Sequence, residues 1–387
     1  MNKEFKVWYG TTLATQEQLD AIEEIVVEQE VGHVWEARIK IPVCVDENGH
    51  WEKEDAAAYH EGNRIRVEAR IGNGEFTPLI DGLITSKEPD YNASPGLSAV
   101  TLMVQDDSVL LHRNEVSATF RGQSAAEIVK ALFQSASLPE PVVDVIPAPP
   151  DRTVIENQHG TAMDALRYIA SRNRDFYAYV LPGASQGTSE CFFKQLPTEV
   201  DETLAPLFLG GPNRNMSGFS IRQNANRLAT FEGPSLNMSD NSPRPGRSEA
   251  AAPAEGEPAT AVSEETTRNR RLAPGNSDHT DPQEASNRAA ATSSFTLSAE
   301  GSVRPSCYPS VLKPYKRVPV RLSNSRYSGS YVIFKVTHTL GRSEYTQSFS
   351  MRGNSVSPEA STSASAPAPA ASAGALAAAF NIQADIY

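Results

Sequence analysis

Cysteine is scarce: the 387 residues hold three, Cys44, Cys191 and Cys307. They are far apart, odd in number and form no CxxC pair. That excludes a disulfide framework and a thiolate metal site, and points to a reducing compartment. Basic charge is also short, with 35 Lys and Arg against 47 Asp and Glu and a net charge of −12. Whole-protein nucleic-acid binders are ordinarily basic, so no stable nucleic-acid binding is expected. Long apolar runs are missing. None approaches the roughly 20 residues that cross a bilayer as a helix, so no membrane insertion is expected. The opening residues, MNKEFKVWYG, lack the apolar core of a secretory signal. Catalytic signatures are missing too: no GxSxG, HExxH, P-loop or GxGxxG is present. The chain therefore reads as no enzyme, with no cofactor and no catalytic residue. The apolar fraction of 39% is low for a compact globule, and the deficit sits in two segments described below.

What is present is β patterning. Residues 1–112 read as a first β-barrel. Trp35-Glu36-Ala37-Arg38-Ile39-Lys40-Ile41 alternates with the period of a half-buried strand, and so does Arg64 to Ile71, whose charged members are expected in water. Gly72-Asn73-Gly74 reads as the turn of a hairpin continued by Phe76 to Ile84. Ser98 to Gln105 is a further strand. Gln16 to Glu28 reads as a short acidic helix or an irregular strand lead-in.

Residues 113–190 read as a small α/β connecting module. Ser124 and Glu127 make a capping box, and Ile128, Val129, Leu132 and Phe133 recur at helical spacing. Thr161 and Asp164 open a second helix with Met163, Leu166, Ile169 and Ala170 on its apolar stripe. Phe176 to Leu181 reads as a strand. Residues 191–235 and 293–353 read as a second β-barrel, closed by a hairpin of Ser330 to His338 and Tyr345 to Arg352. In that hairpin Val332, Phe334 and Val336 are expected on one face, and Tyr345, Phe349 and Met351 on another. Residues 236–292 are rich in Pro, Ala, Ser, Glu and Arg and read as a loop-like insertion with a short helix near Gln283 to Ala291. Residues 354–387 are an Ala/Ser/Pro-rich tail, mildly apolar again after residue 375.

Each candidate for chemistry has a plainer reading that wins. His33, Cys44 and His50 lack metal-ligand spacing, so no metal site is expected. Asp46-Glu47-Asn48-Gly49 misplaces the glycine of a calcium loop and reads as a solvated turn. Asp106-Asp107 reads as a strand-ending turn, because adjacent residues of a strand face opposite ways. Arg167, Arg172 and Arg174 read as a solvated helix face. His338 reads as a satisfied histidine at a strand end.

Three stretches carry a resemblance. Phe120-Arg121-Gly122-Gln123-Ser124-Ala125-Ala126-Glu127-Ile128-Val129 is similar to the helix after the first barrel in the phage late control protein D family. That family includes contractile-tail baseplate hubs and the hub part of VgrG. Ile155 to Ala170 resembles its motif of polar residues leading into a helix. Gly329 to His338 resembles its closing G-x-Y-x-V-x-x-V-x-H hairpin, with Tyr331, Val332, Phe334, Val336 and His338 in place and Phe349 on the partner strand. The resemblance implies a mainly β fold with a small α/β portion: two β-barrel tube-like domains in a homotrimeric ring. It also implies a hub that joins a hexameric tail tube protein to a trimeric spike protein around a central channel, beside tape-measure and other baseplate proteins. Such a hub sits at the baseplate of a virion or injection particle and is made in the bacterial cytoplasm. No glycine-valine repeat of a spike β-helix follows residue 352. The competing readings are another β-barrel tail component and a carbohydrate-active enzyme, which needs two carboxylates about 5–10 Å apart.

Overall fold

The computed structural model describes residues 3–357 except 53, 55, 95, 147–154, 173–175, 237–241, 250, 252, 254–255, 261–262, 264–266, 273–281, 305 and 342–343. The chain is mainly β. The amino-terminal strands are β1 (Lys3–Tyr9), β2 (Thr12–Leu13), β3 (Glu24–Glu30), β4 (Glu36–Pro42), β5 (Arg64–Ile71), β6 (Thr77–Asp90) and β7 (Ala99–Asp106), with helix α1 (Gln16–Asp20) between β2 and β3. They pair in the order β3-β4-β7-β6-β5-β1-β2 and curl round one core. That core holds the inward set of each strand: Val7 of β1, Ile25 and Val27 of β3, Ile39 and Ile41 of β4, Ile65 and Val67 of β5, and Leu102 and Val104 of β7. The alternation of β3, β4 and β7 places every second side chain there, as a half-buried antiparallel sheet requires.

The middle module comprises α2 (Leu110–Arg113), β8 (Glu115–Arg121), α3 (Ala125–Ser135), β9 (Val142–Val143), β10 (Ile155–Thr161), α4 (Ala162–Arg172), β11 (Phe176–Pro182) and β12 (Ser189–Gln195). Both helices start where their caps dictate. Ser124 and Glu127 form the reciprocal capping box of α3, and the Thr161 hydroxyl and Asp164 carboxylate do the same for α4. Ile128, Leu132, Met163 and Leu166 all face the module core, against Phe176 and Phe193.

The boundary expected at residue 191 is corrected. Strand β12 pairs along its length with β11, and Cys191 and Phe193 fill the module core, so the module runs through Gln195. Phe192 and Phe193 alternate faces like residues of any strand, and nothing local to them says which sheet they join.

The carboxy-terminal half holds β13 (Leu207–Phe208), β14 (Met216–Gln223), β15 (Ala229–Leu236), β16 (Pro243–Arg247), β17 (Glu257–Pro258), β18 (Arg268–Arg271), α5 (Pro282–Ser294), β19 (Leu297–Val303), β20 (Arg317–Arg321), β21 (Gly329–Gly341), β22 (Tyr345–Gly353) and β23 (Ser355–Val356). Strands β14-β19-β22-β21-β20-β13 curl round a second core of Leu207, Val318, Val320, Tyr331, Ile333, Val336, Phe349 and Met351. The curl nearly closes, because the Asn215 N–H ahead of β14 donates to the Phe208 carbonyl at 2.9 Å.

Two expectations change here. The two β regions are not separate: β21 also pairs with β3, and both curls belong to one 13-stranded sheet. The expected insertion is also built into the fold in its described parts. Strands β16, β15 and β18 form a small sheet, α5 lies against it, β17 pairs with β23, and Ala259 enters the second core. Short strands rich in Pro and Arg carry little apolar signal, which is why composition alone reads as a loop. The tail expected from residue 354 lies, beyond residue 357, outside the described residues.

Candidate functional site

The fold's distinctive place is the joint where β21 passes from one core to the other. Its first residues pair with β20, with Arg317 opposite Val332 and Val320 opposite Gly329. Its last residues pair with β3, from Lys335 opposite Glu30 to Gly341 opposite Glu24. Strand β22 follows its other edge from Val332 to Leu340. At the changeover the Ile333 N–H bonds to Lys316 O at 2.8 Å, and the Phe334 carbonyl accepts from Val31 N at 2.8 Å. A register shift sits between Ile333 and Lys335.

That bulge resets the faces. Tyr331, Ile333 and Val336 point into the second core, whereas Val332 and Phe334 point the other way, onto Trp35, Val31 and Tyr315. The expected single face of Val332, Phe334 and Val336 is therefore corrected. The signal was in the spacing: a two-residue gap between the inward positions 333 and 336 is what a bulge requires.

His338 lies in the interior of β21, fully buried, rather than at its end. The Tyr345 hydroxyl lies 2.9 Å from its Nδ1, and its Nε2 lies 3.1 Å from Gln29 Oε1. Gln29 Nε2 donates to Leu79 O at 2.7 Å, so Gln29 Oε1 is free to accept. The imidazole therefore carries its proton on Nε2 and accepts from Tyr345 at Nδ1. Burial, and then the nearby Lys313 charge, push the His338 pKa down to about 3, so the ring is neutral. Beside it the Gln347 amide ties the β22 backbone to the 310–312 loop, accepting from Leu312 N at 2.7 Å and donating to Ser310 O at 3.1 Å. A chain of neutral hydrogen bonds thus crosses the sheet from β6 through β3 and β21 to β22.

A charged lock holds the module onto the first curl. Arg66 of β5 is 2% exposed. Its guanidinium donates to Glu68 at 2.7 Å, to Asp81 at 3.1 Å and to the carbonyls of Gly183 and Ser185 at 2.8 and 3.1 Å. Arg64 bridges Asp81 at 3.0 Å and Asp107 at 2.7 Å. The turn between β11 and β12 returns bonds from Gly187 N to Asp81 at 2.9 Å and from the Ser189 hydroxyl to Asp107. The charged face of β5, expected in water, is thus covered by residues 183–189. Arg64, Arg66, Glu68 and Asp81 of one hairpin, with Asp107 after β7, were visible as residue types, but strand alternation gives no sign of what lies over the second face.

Aromatics complete the joint. Tyr315 stacks on Tyr179 with ring centres 3.7 Å apart, and its hydroxyl accepts from Gly32 N at 2.8 Å. Its backbone lies in the left-handed region at φ 60°, uncommon for a bulky side chain. Arg352 caps the outer face of Phe334 with its guanidinium 4.0 Å from the ring centre.

The remaining candidates fall out plainly. Among the described residues no group of three His, Cys, Asp or Glu is placed to hold a metal ion. The Cys44 thiol donates to Glu52, and Asp46 Oδ1 accepts from Asn48 N and His50 N, each at 2.8 Å, around the Gly49 turn. Asp106 is fully buried and takes bonds from Trp35 N at 3.0 Å and Ser108 N at 2.9 Å; burial pushes its pKa up to about 7. Arg167 donates to Gly32 O at 3.1 Å, while the side chains of Arg172 and Arg174 lie outside the described residues. No helix is long and apolar enough to cross a membrane among the described residues.

No protein-family model matches the sequence, and no curated protein matches it. Solved structures do. The 43 kDa tail protein of prophage MuSo2 from Shewanella oneidensis superposes with a TM-score of 0.62 at 15% identity, over 93% of this chain and 99% of that one. A tail protein from Neisseria meningitidis MC58 gives 0.61 at 13% identity with the same coverage. An E. coli component of the type VI secretion system, described as structurally similar to the T4 bacteriophage tail proteins gp27 and gp5, gives 0.51 at 10% identity over 88% of this chain and 74% of that one. Along nearly its whole length, then, this chain has the fold of these phage-tail and secretion-system proteins.

Proposed function

We propose that the chain is a structural component of a contractile phage tail or related injection machine, and within it the baseplate hub. Three copies form a ring whose six similar curls dock on a hexameric tube protein. The opposite end keeps threefold symmetry for a trimeric spike. The observation that carries this reading is the fold: two antiparallel curls joined by one strand, superposing over 93% of the chain on a tail protein. The joint supports it. Gln29, His338, Tyr345 and Gln347 are engaged there in bonds that fix one curl against the other, and rigidity of this kind suits an adaptor.

The particle's tail tip is the place this reading assigns to the chain, after synthesis in the bacterial cytoplasm. Its partners are tube, spike and neighbouring baseplate or tape-measure proteins, without stable nucleic-acid binding. The channel wall carries the molecule's acidic character and so discourages sticking of a passing polyanion. The test is the mass of the purified full chain by light scattering, followed by mixing with candidate tail-tube and spike proteins. A trimer that captures both is expected. A chain monomeric at every concentration, or a trimer indifferent to both partners, would remove the hub reading.

A further inference from the structure

Against a net charge of −12, one groove of about 640 Å³ is lined by four arginines. Arg227 comes from the turn after β14, Arg268 and Arg270 from β18, and Arg288 from α5, with Phe231 and Ala289 between them. Among the described residues no carboxylate pairs with Arg227, Arg268 or Arg270, and Arg268 and Arg270 are exposed. Arg352 stands close enough to Arg227 that, after burial, this neighbour is the next cause holding its pKa below the ordinary range. Like charges clustered in one groove repel one another, so the groove favours an anionic occupant.

The opposite chemistry lies at the tip of the first curl. There the loop after β4 meets the β6–β7 turn, with the rings of Trp51 and Tyr91 tilted against each other at 4.7 Å and Lys87 Nζ bonded to Glu54 O at 3.2 Å. Val45, Tyr91 and Leu97 are about half exposed there, at 50%, 48% and 61%. Around them Glu47, Glu52, Glu88 and Asp90 are exposed. An apolar centre rimmed by carboxylates has the anatomy of an interface, and among the described residues nothing in the same chain covers it.

We propose that the arginine groove of one copy of this chain receives the acidic, apolar-centred tip of the next copy. This rests on the ring reading above, because a head-to-tail ring needs two different, mutually complementary surfaces on each chain. Guanidinium forks match carboxylates in pairs, and Phe231 offers apolar surface to the tip's valine and tyrosine. A protein segment is favoured over nucleic acid. A short acidic loop feels only the local charge within a Debye length of about 8–10 Å, whereas a long polyanion meets the repulsion of the whole acidic molecule. A single aromatic in the groove is also a poor stacking platform for bases.

The experiment is sedimentation velocity on the full chain over a range of concentration and salt. Self-association of the wild type is expected to weaken as salt rises. Arg268→Glu with Arg270→Glu should weaken it about 100-fold, since like charges then face each other. Glu47→Arg with Glu52→Arg should do the same, and mixing the two charge-reversed proteins should restore association. Arg268→Lys with Arg270→Lys should keep most of it, and circular dichroism should show every variant folded, as these side chains are exposed. A wild-type trimer that the reversals leave intact overturns the proposal while sparing the hub reading. So does a trimer that persists while binding to spike or tube is lost, or a groove that retards a DNA oligonucleotide. A wild type monomeric throughout overturns both.

Discussion

At the scale of single residues, His338 sets a measurable pH dependence. Unfolded, the ring titrates near 6.5; folded, burial holds it neutral down to about 3. The unfolded state therefore binds the extra proton in that window, and stability falls as pH drops from 6.5 toward 3, by at most about 1.4 kcal/mol per pH unit. Asp106 acts in the opposite sense. Its pKa is raised from 3.8 to about 7, so its contribution is present at low pH and is lost as pH rises through that range. The two offset each other in the wild type, and a difference measurement separates them. In urea titrations, His338→Gln should gain stability relative to wild type as pH is lowered from neutrality; a constant difference would contradict the neutral buried ring. Gly82 is a second residue fixed by geometry. A Cβ there would lie 1.9 Å from the Gln105 carbonyl oxygen of the paired strand. Gly82→Ala must push β6 from β7 and should lower stability by about 1–3 kcal/mol. At Phe334 an aspartate would meet the Arg352 guanidinium as partner, so alanine is the cleaner probe. Phe334→Ala should cost about 3–5 kcal/mol through the cavity left against Trp35 and Tyr315.

At the scale of elements, the turn of residues 183–188 is held by Arg66 more than by apolar contact. Arg66→Ala would leave Glu68 without its cation and Asp81 with Arg64 alone, and should cost about 3–5 kcal/mol. Hydrogen exchange of the Gly187 amide, which bonds to Asp81, should rise with it. The segment that composition marks as a loop behaves differently from a loop. Deleting residues 240–285 removes β16, β17 and β18, the Ala259 contact with the second core and the first turn of α5. A lowered melting temperature is expected; an unchanged one would show the segment to be peripheral. Strands with alternating apolar residues, such as β4 and β7, and helices with their own capping pairs, such as α3 and α4, were legible in the sequence because their signals are local, whereas β3 lay within a stretch that also reads as a short helix. The pairing of β21 with β3, the cover over Arg66 and the membership of β12 were not. Each depends on which surface arrives from far along the chain, and Lys335 and Glu30 meet across 305 positions.

At the scale of the whole molecule, continuity of the sheet governs unfolding. Because β21 supplies Ile333 to one core, Leu340 to the other and His338 between them, neither curl can open without breaking bonds to the other. Calorimetry should show one cooperative transition for both curls, and two separated peaks would contradict the shared strand. The same continuity has a mechanical side. Strand β21 has 13 residues, a span of roughly 40 Å, and is flanked by β22 on one edge and by β20 and then β3 on the other. A pull applied along it loads the hydrogen bonds of all three neighbours in shear, together, rather than peeling them one at a time. The strand that joins the two curls is therefore also a tie rod, and force entering one half of the molecule leaves through the other without a hinge between them.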